Sequence, residues 1–316
     1  MQDKVLIPMK GEYAYLFKKL EDIGLEVCNY RLDKEISLDE QVNQLKQFKY
    51  IVTGGEIWPA ELLEKIKGNL KMIVKYGTGV DNIDVDAARE LGIAVSNTAG
   101  FNSFAVAELT VALILDVARG ITRFDNIVKN NGWNSTKGFS LTGKIIGFLG
   151  FGSIAGEAAK RLSNFGVKML AYDKFQNFEK AKQLGVEYVS YDELLDRADI
   201  ISIHMPLIEE TKGIINMTVF KKMKDSAYII NTSRGPIINE LDLIEALKNK
   251  IIAGAALDVF EVEPLPLENE LRQLENAVLT PHVAAATQEA GTAMLTGCVE
   301  NIIAFEKGNP INIVNR

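Results

Sequence analysis

The chain has 316 residues, of which 47% are hydrophobic and 24% charged, close to the averages of globular proteins. This length favours two domains, each large enough to bury its own core. The 42 acidic residues outnumber the 35 basic ones, and the net charge of -7 has the wrong sign for neutralising a phosphate backbone. We therefore expect neither a disordered chain nor a nucleic-acid partner.

Neither a targeting segment nor a cysteine framework is evident. The N-terminal apolar run, residues 5–8, is too short for a signal peptide, and the most apolar helix candidate, residues 104–118, is interrupted by two acidic residues. We therefore expect a cytoplasmic protein without a membrane partner. The two cysteines, Cys28 and Cys298, form no Cys-x-x-Cys pair, so we expect both to be small buried side chains, with no metal site.

Short Val/Ile-rich runs alternate with segments of helical period, which predicts an α/β fold with parallel sheets covered by helices on both faces. In the first part of the chain the predicted strands are residues 5–8, 25–30, 50–53, 72–75 and 93–96. In the second part they are residues 145–149, 168–172, 200–204, 227–231, 253–258 and 278–279. These runs predict two doubly wound units, one with five strands and one with six.

A long helix and an irregular segment lie between the two sets of strands. Residues 103–120 have apolar positions at spacings of three and four, which predicts a helix. Residues 121–141 are polar, lack a clear period and contain Trp133. This segment is either an arm that packs on another subunit or a solvated loop with one anchored tryptophan.

A glycine-rich turn carries the first chemical signal. The motif Gly150-Phe-Gly152-Ser153-Ile154-Ala155-Gly156 follows a predicted strand and opens a predicted helix. A dinucleotide site needs a tight turn at the first glycine, room for the pyrophosphate at the second and a small third residue, here Ala155. Asp173 ends the next strand, 21 positions after Gly152 (173 − 152), where a carboxylate binds the adenosine ribose. This pattern predicts a Rossmann domain that prefers NAD to NADP.

Removal of a hydroxyl proton during hydride transfer requires a group that titrates near neutrality, and the chain has only two histidines. His204 ends one predicted strand, and His282 follows another. Arg234 also follows a strand and offers a planar, bidentate cation for a carboxylate. Glu263 follows a further strand and could orient an imidazole. Because ligands bind at the carboxyl ends of parallel strands, Arg234, Glu263 and His282 are the predicted catalytic residues.

With these residues in place, the sequence resembles the D-isomer-specific 2-hydroxyacid dehydrogenase family over nearly the whole chain. The resemblance is carried by residues 76–84, 97–108, the glycine turn, 204–207, 231–240, 257–264 and 280–283. It implies that Arg234 binds the substrate carboxylate, that Glu263 pairs with the imidazole and that His282 is the general acid/base. It also implies a flavodoxin-like substrate domain beside the Rossmann domain, and a homodimer.

The resemblance assigns further contacts. The backbone amides of Gly77, Thr78 and Gly79 would meet the substrate carboxylate, and Asp258 would contact the nicotinamide carboxamide. Lys75 could meet a substrate phosphate. The remaining NAD contacts that we expect lie in or beside the same segments, at His204, Pro206, Thr211 and Thr232.

The domain boundaries and the substrate are also predicted. We expect residues 1–98 and 286–316 to form the discontinuous substrate domain and residues 99–285 the NAD-binding domain. Within the family the sequence looks most like D-3-phosphoglycerate dehydrogenase, with glyoxylate or hydroxypyruvate reduction as the alternative, because the stretch Thr53-Gly-Gly offers no basic side chain for a phosphate. A different class, an NAD-sensing corepressor that binds protein partners, shares this fold, and the site chemistry favours the enzyme.

Overall fold

A computed structural model of the chain describes the structure of residues 2–8, 13–31 and 36–316. Its strands, all parallel, are Lys4–Leu6 (β1), Glu26–Cys28 (β2), Tyr50–Thr53 (β3), Met72–Lys75 (β4), Ala94–Ser96 (β5), Ile145–Leu149 (β6), Lys168–Tyr172 (β7), Val186–Tyr188 (β8), Ile200–Ile203 (β9), Tyr228–Asn231 (β10), Gly254–Leu257 (β11) and Ala277–Leu279 (β12).

The α-helices of the described residues are Ala14–Glu21 (α1), Leu38–Leu45 (α2), Ala60–Ile66 (α3), Val85–Glu90 (α4), Ser103–Arg119 (α5), Ile121–Lys129 (α6), Ser153–Leu162 (α7), Phe178–Leu184 (α8), Tyr191–Arg197 (α9), Met217–Phe220 (α10), Glu240–Lys248 (α11) and Gln288–Glu306 (α12). Within the described ranges, none of them combines the length and the hydrophobicity that a bilayer-spanning segment requires.

The chain divides into two compact units. Unit 1 consists of Met1–Asn102 and Thr287–Arg316, and unit 2 of Ser103–Ala286. In unit 1 the sheet has the order β2-β1-β3-β4-β5, which is the flavodoxin-like order. In unit 2 the order is β12-β11-β10-β9-β6-β7-β8, which is the Rossmann order with one added strand. The predicted pair of doubly wound α/β units is confirmed.

The second sheet has seven strands, so the prediction of six was wrong. The missing strand is β8, which has three residues and pairs only with β7 at the edge of the sheet. So short a run gives no alternating pattern, and it forms because β7 offers an unpaired edge. Val186 packs into the core and is the one buried residue of β8.

The helix predicted at residues 103–120 is confirmed as α5, but the segment that follows it is not wholly irregular. Helix α6 occupies Ile121–Lys129 and begins after Gly120, whose left-handed φ of 64° separates it from α5. Trp133 is 89% exposed, so it is not an anchored tryptophan within this chain. The apolar residues Ile121, Phe124, Ile127 and Val128 recur at helical spacing, so the prediction of a segment without a clear period was wrong for this part.

Apolar side chains cover both faces of each sheet, as a parallel sheet requires. In unit 1 one face is covered by α1 and α12, the latter through Leu295, Cys298 and Ile302. Cys298 is buried as predicted, whereas Cys28 is only half-buried, since β2 is an edge strand whose outer side faces solvent.

Asn301 of α12 ties the C-terminal segment of unit 1 to its N-terminal sheet. Its side chain is fully buried and donates to Ser96 Oγ at 3.2 Å and to the Asn97 carbonyl at 2.9 Å. Its Oδ1 accepts from Asn312 Nδ2 at 2.9 Å. The amide nitrogen donates twice and the oxygen accepts once, so the two sequence-distant parts of the unit are joined by polar contacts in addition to apolar ones.

We expect Asn301→Ala to lower the free energy of unfolding of unit 1 by about 2 kcal/mol, because it leaves buried polar partners without a hydrogen bond. Urea unfolding followed by circular dichroism measures the change. Glu300→Ala, at an exposed position of the same helix, is the matched control. Equal midpoints for the two variants would show that the buried amide does not contribute.

Candidate active site

The three predicted catalytic residues lie at one edge of the unit 2 sheet. Arg234 follows β10, Glu263 follows β11, and His282 follows β12. These strands are consecutive neighbours, paired in parallel with Asn231 beside Leu257 and Leu257 beside Leu279. Their carboxyl ends therefore meet at the same edge, where α/β proteins bind ligands.

Glu263 and His282 form a direct hydrogen bond. The His282 Nδ1 to Glu263 Oε2 distance is 2.6 Å, and the other carboxylate oxygen, Oε1, accepts the Phe260 N–H at 3.0 Å. With Nδ1 engaged, Nε2 is the nitrogen that can face a substrate, and the His282 side chain is 51% exposed. The pair is thus both oriented and accessible.

The contact between His282 and Glu263 shifts the pKa of both residues. The hydrogen bond that His282 donates to Glu263 raises the pKa of His282 above its ordinary 6.5, and this effect outweighs burial and the nearby charge of Arg234, which lower it. Burial acts to raise the pKa of Glu263, but hydrogen bonds from His282 and the Phe260 N–H outweigh burial and hold it below its ordinary value. The geometry favours a carboxylate beside an imidazole that gains a proton easily.

The loop that carries His282 is built on Asp258. Asp258 is fully buried, and its Oδ1 accepts from Thr280 Oγ1 at 2.6 Å and from the Val283 N–H at 2.9 Å. Its Oδ2 accepts the Ala284 N–H at 2.9 Å, and its carbonyl accepts the His282 N–H at 2.8 Å. These bonds hold His282 at a φ of 53°, a left-handed conformation that a non-glycine residue adopts only when its surroundings impose it.

Arg234 lies in a turn that hydrogen bonds of the side chain of Asn231 stabilise. The side chain of Asn231 accepts the Ser233 N–H at 3.0 Å and donates to the Arg234 carbonyl at 2.9 Å. Gly235, the next residue, packs against the backbone of Phe260 so closely that a Cβ would overlap its carbonyl. This close approach joins the loop of Arg234 to that of Glu263. The role of Gly235 was not predicted from the sequence, because it depends on the loop after a neighbouring strand.

His204 has a different character from His282. Its Nε2 lies 2.8 Å from Ser202 Oγ, and its ring packs on Phe148 with the centroids 5.9 Å apart. Although the residue keeps partial exposure, its imidazole is desolvated, and burial lowers its pKa to about 3. Because it stays neutral at ordinary pH, it is unsuited to proton transfer, and a contact with NAD through its side chain remains a prediction.

The glycine turn has the shape that a dinucleotide requires. Gly150 has a φ of 88°, and a Cβ on it would lie 2.8 Å from the carbonyl carbon of His204. At Gly152 the corresponding Cβ position is open, which leaves space for a pyrophosphate against the N-terminus of α7, where Ser153 and Ile154 lie. Asp173 borders the turn through the Phe151 N–H, which donates to its Oδ2 at 2.7 Å. The residues present therefore fit a bound dinucleotide.

Three further residues predicted to contact the cofactor, Pro206, Thr211 and Thr232, take part in hydrogen bonds within unit 2. The Thr211 hydroxyl donates to the Pro206 carbonyl at 2.6 Å and closes the loop after β9. The Thr232 hydroxyl lies 2.9 Å from that of Thr110, on α5, where both are buried. All three side chains belong to the carboxyl-end region of unit 2, and their contact with NAD remains a prediction.

The predicted substrate loop lies in unit 1, directly after β4. Lys75 Nζ donates to Asn82 Oδ1 at 2.8 Å and to the Gly54 carbonyl. The Gly77 N–H donates to Thr98 Oγ1 at 2.9 Å, and the Thr78 carbonyl accepts from Asn97 Nδ2. The Gly77 amide therefore has a partner within the chain, and the contact of Gly77, Thr78 and Gly79 with a substrate carboxylate remains a prediction.

Comparison with known proteins agrees with this geometry. Residues 111–284 match the family model described as the NAD binding domain of D-isomer specific 2-hydroxyacid dehydrogenases. The chain is 40% identical over 296 residues to a D-3-phosphoglycerate dehydrogenase of Archaeoglobus fulgidus, and the match covers 92% of this chain and 55% of that protein. It is 43% identical over 266 residues to a glyoxylate reductase of Thermococcus litoralis, covering 81% of this chain and 80% of that protein.

A solved structure of a glyoxylate reductase from Paecilomyes thermophila superposes with a TM-score of 0.90 at 30% identity, covering 99% of this chain and 98% of that one. The chain thus spans about half the length of the Archaeoglobus protein and nearly the whole of the Paecilomyes structure. It belongs to the D-isomer specific 2-hydroxyacid dehydrogenase family, a family of NAD-dependent oxidoreductases that act on the CH–OH group of 2-hydroxy acids.

Proposed function

We propose that this chain interconverts a small 2-oxo acid and its D-2-hydroxy acid with NAD, and that Arg234, Glu263 and His282 are its catalytic residues. The observation that carries the proposal is the 2.6 Å bond between His282 Nδ1 and Glu263 Oε2, at the strand edge that also carries Arg234 and the glycine turn. An exposed and oriented imidazole whose pKa is raised can act as a general acid/base.

The chemistry follows from these side chains. When bound, NADH supplies a hydride to the 2-oxo carbon of the substrate. His282 Nε2 donates the proton that the oxo oxygen needs, and Glu263 stabilises the imidazolium form and fixes the ring. The Arg234 guanidinium pairs with the substrate carboxylate through its planar fork and polarises the oxo group. In the reverse direction neutral His282 removes the hydroxyl proton.

Binding of the dinucleotide is assigned to the glycine turn. The amides at the start of α7 face the pyrophosphate, beside Gly150 and Gly152. Asp173 binds the adenosine ribose hydroxyls and disfavours a 2'-phosphate by charge repulsion, which supports NAD over NADP. We assign the remaining cofactor contacts to the loops after β9, β10 and β11, through the residues His204, Pro206, Thr211, Thr232 and Asp258.

For the substrate, the first candidate is D-3-phosphoglycerate. The relative from Archaeoglobus that matches over 92% of this chain carries the name D-3-phosphoglycerate dehydrogenase. The second candidate is glyoxylate or hydroxypyruvate, since a glyoxylate reductase and a hydroxypyruvate reductase are 43% and 33% identical to this chain. A specific observation favours the second: Lys75, the base that could meet a phosphate, is bonded to the Gly54 carbonyl and to Asn82.

We also propose a homodimer that forms through α6 and the segment after it. Helix α6, all of which the structure describes, has no buried residue, although Ile121 and Val128 are apolar. These side chains are 60% and 54% exposed, and Trp133 is 89% exposed. Exposed apolar side chains grouped along one helix and its continuation are typical of a surface that a second copy covers.

A panel of 2-oxo acids that includes glyoxylate, hydroxypyruvate and 3-phosphohydroxypyruvate, assayed with NADH by absorbance, tests the function. We expect turnover with at least one of them. Arg234→Lys should lower its kcat/KM by about 100-fold, because an ammonium cannot replace bidentate recognition. Near-normal kcat/KM in this variant would contradict the role of Arg234, and wild-type inactivity on every 2-oxo acid would contradict the function.

The pH dependence of Glu263→Gln tests the acid/base pair. In the reduction direction His282 must be protonated, so kcat/KM is highest below its pKa and is lost as pH rises through it. Because the Glu263 contact raises that pKa, its removal should move the loss of activity to lower pH. In the oxidation direction His282 must be neutral, so kcat/KM of the variant should persist to lower pH than that of the wild type. A profile that coincides with that of the wild type would show that Glu263 does not set the proton affinity of His282.

Sedimentation velocity tests the homodimer. We expect the wild type to sediment as a dimer and Trp133→Ser combined with Ile121→Ser to shift it towards the monomer, because the changes remove apolar area from the interface. Ile57→Ser, at an equally exposed apolar position in unit 1, is the control and should remain dimeric. A wild-type monomer at micromolar concentration would contradict the assembly.

A further inference from the structure

Lys180 of α8 reaches the glycine turn from a neighbouring helix. Its Nζ donates to the Gly152 carbonyl at 2.7 Å and lies 5.1 Å from the centroid of the Phe151 ring. The residue is half-buried, and burial lowers the pKa of its ammonium group. An ammonium that is partly removed from water, and directed at the second glycine of a dinucleotide motif, is more than a solvated charge on a helix.

This hydrogen bond fixes the orientation of one peptide group. In a planar trans peptide the carbonyl of one residue and the N–H of the next point in opposite directions. The Gly152 carbonyl accepts both Lys180 Nζ and the Gly156 N–H, the latter at 3.0 Å. Because this carbonyl is held towards α8 and along the axis of α7, the Ser153 N–H is held on the opposite side, at the free end of α7.

The sequence around Gly156 makes room for the lysine. A Cβ at Gly156 would lie 2.5 Å from Lys180 Nζ, so an alanine there would displace the ammonium group. The motif places Ala155 at the small position where helix meets strand, and Ala155 is fully buried. Gly156 is thus an additional glycine, and the space it leaves is occupied by Lys180.

An acid fixes the peptide on the other side of the turn. Asp173 Oδ2 accepts the Phe151 N–H at 2.7 Å, and Oδ1 accepts the Phe175 N–H at 2.7 Å. The charge of Asp173 also acts on Lys180. Two peptides of the glycine turn, Gly150–Phe151 and Gly152–Ser153, are therefore held by two side chains of opposite charge, one after β7 and one on α8.

We propose that Lys180 is a positioning residue for the cofactor, which holds the Gly152–Ser153 peptide so that the Ser153 N–H faces the pyrophosphate of bound NAD. The inference rests on the proposed function, in which the glycine turn binds the dinucleotide. Lys180 acts through the backbone of the turn, so its effect belongs to cofactor binding and not to proton or hydride transfer.

The test is Lys180→Met, which keeps most of the aliphatic stem and removes the donor. We expect the Kd of NADH, measured by fluorescence titration, to rise about tenfold, the effect of one charge-assisted hydrogen bond. At saturating NADH, kcat should stay within about twofold, since no reacting group is lost. Lys182→Met, at an exposed position of the same helix, is the control and should bind NADH as the wild type does.

Fragments of the cofactor separate positioning from a general loss of structure. In calorimetric titrations, ADP-ribose, which carries the pyrophosphate, should lose the same factor in Lys180→Met. Adenosine, which lacks it, should compete equally well in both proteins. An unchanged Kd for NADH, or an equal loss for adenosine, would overturn the role of Lys180. Failure of the wild type to bind NADH at all would instead overturn the proposed function.

Gly156→Ala provides an independent variant, since it keeps the lysine and displaces its ammonium. We expect it to weaken NADH binding to the same extent as Lys180→Met, without loss of α-helical circular dichroism. In a protein that already carries Lys180→Ala, adding Gly156→Ala should weaken NADH binding little further, because the lysine side chain that it would displace is absent. Equal weakening in both backgrounds would show that Gly156 acts directly, and would contradict the inference.

Discussion

The contact between Glu263 and His282 is the interaction on which the catalytic chemistry of this chain depends. It is short, and each partner is held independently of the other: Glu263 by the Phe260 N–H and His282 by the carbonyl of Asp258. Because the carboxylate uses one oxygen for the backbone and the other for the ring, it cannot turn away without losing both bonds. The ring is therefore presented with Nε2 available and with an increased affinity for a proton.

The parallel sheet of unit 2 brings these groups together. The chemistry needs a cation, a carboxylate and an imidazole from distant parts of the sequence, and three adjacent strands deliver them to one edge. Close backbone packing then joins their loops, since Gly235 lies against the backbone of Phe260. The buried Asp258 carboxylate organises the loop of His282 through three hydrogen bonds. Rigid strands with short, internally bonded loops are well suited to holding reacting groups in place.

The parts of this structure that depend on residues close together in the chain could be predicted from the sequence. The strand at residues 145–149, the glycine turn and the acid at Asp173 are local in sequence, so their spacing carries the information. The edge position of Arg234, Glu263 and His282 followed from one rule about parallel sheets. Features that depend on a partner distant in the sequence could not be predicted from it. Edge strand β8 forms only because β7 is present, and nothing in the sequence of α8 distinguishes Lys180 from Lys182.

The most direct measurement of the central contact is a titration of the two imidazole rings by 15N NMR, with His282→Asn used for assignment. We predict that His282 titrates with a midpoint above 6.5 and is protonated at Nδ1 when neutral, while His204, whose pKa burial lowers to about 3, stays neutral over the pH range in which His282 titrates. A midpoint for His282 at or below 6.5, or two histidines that titrate together, would contradict the pairing of His282 with Glu263.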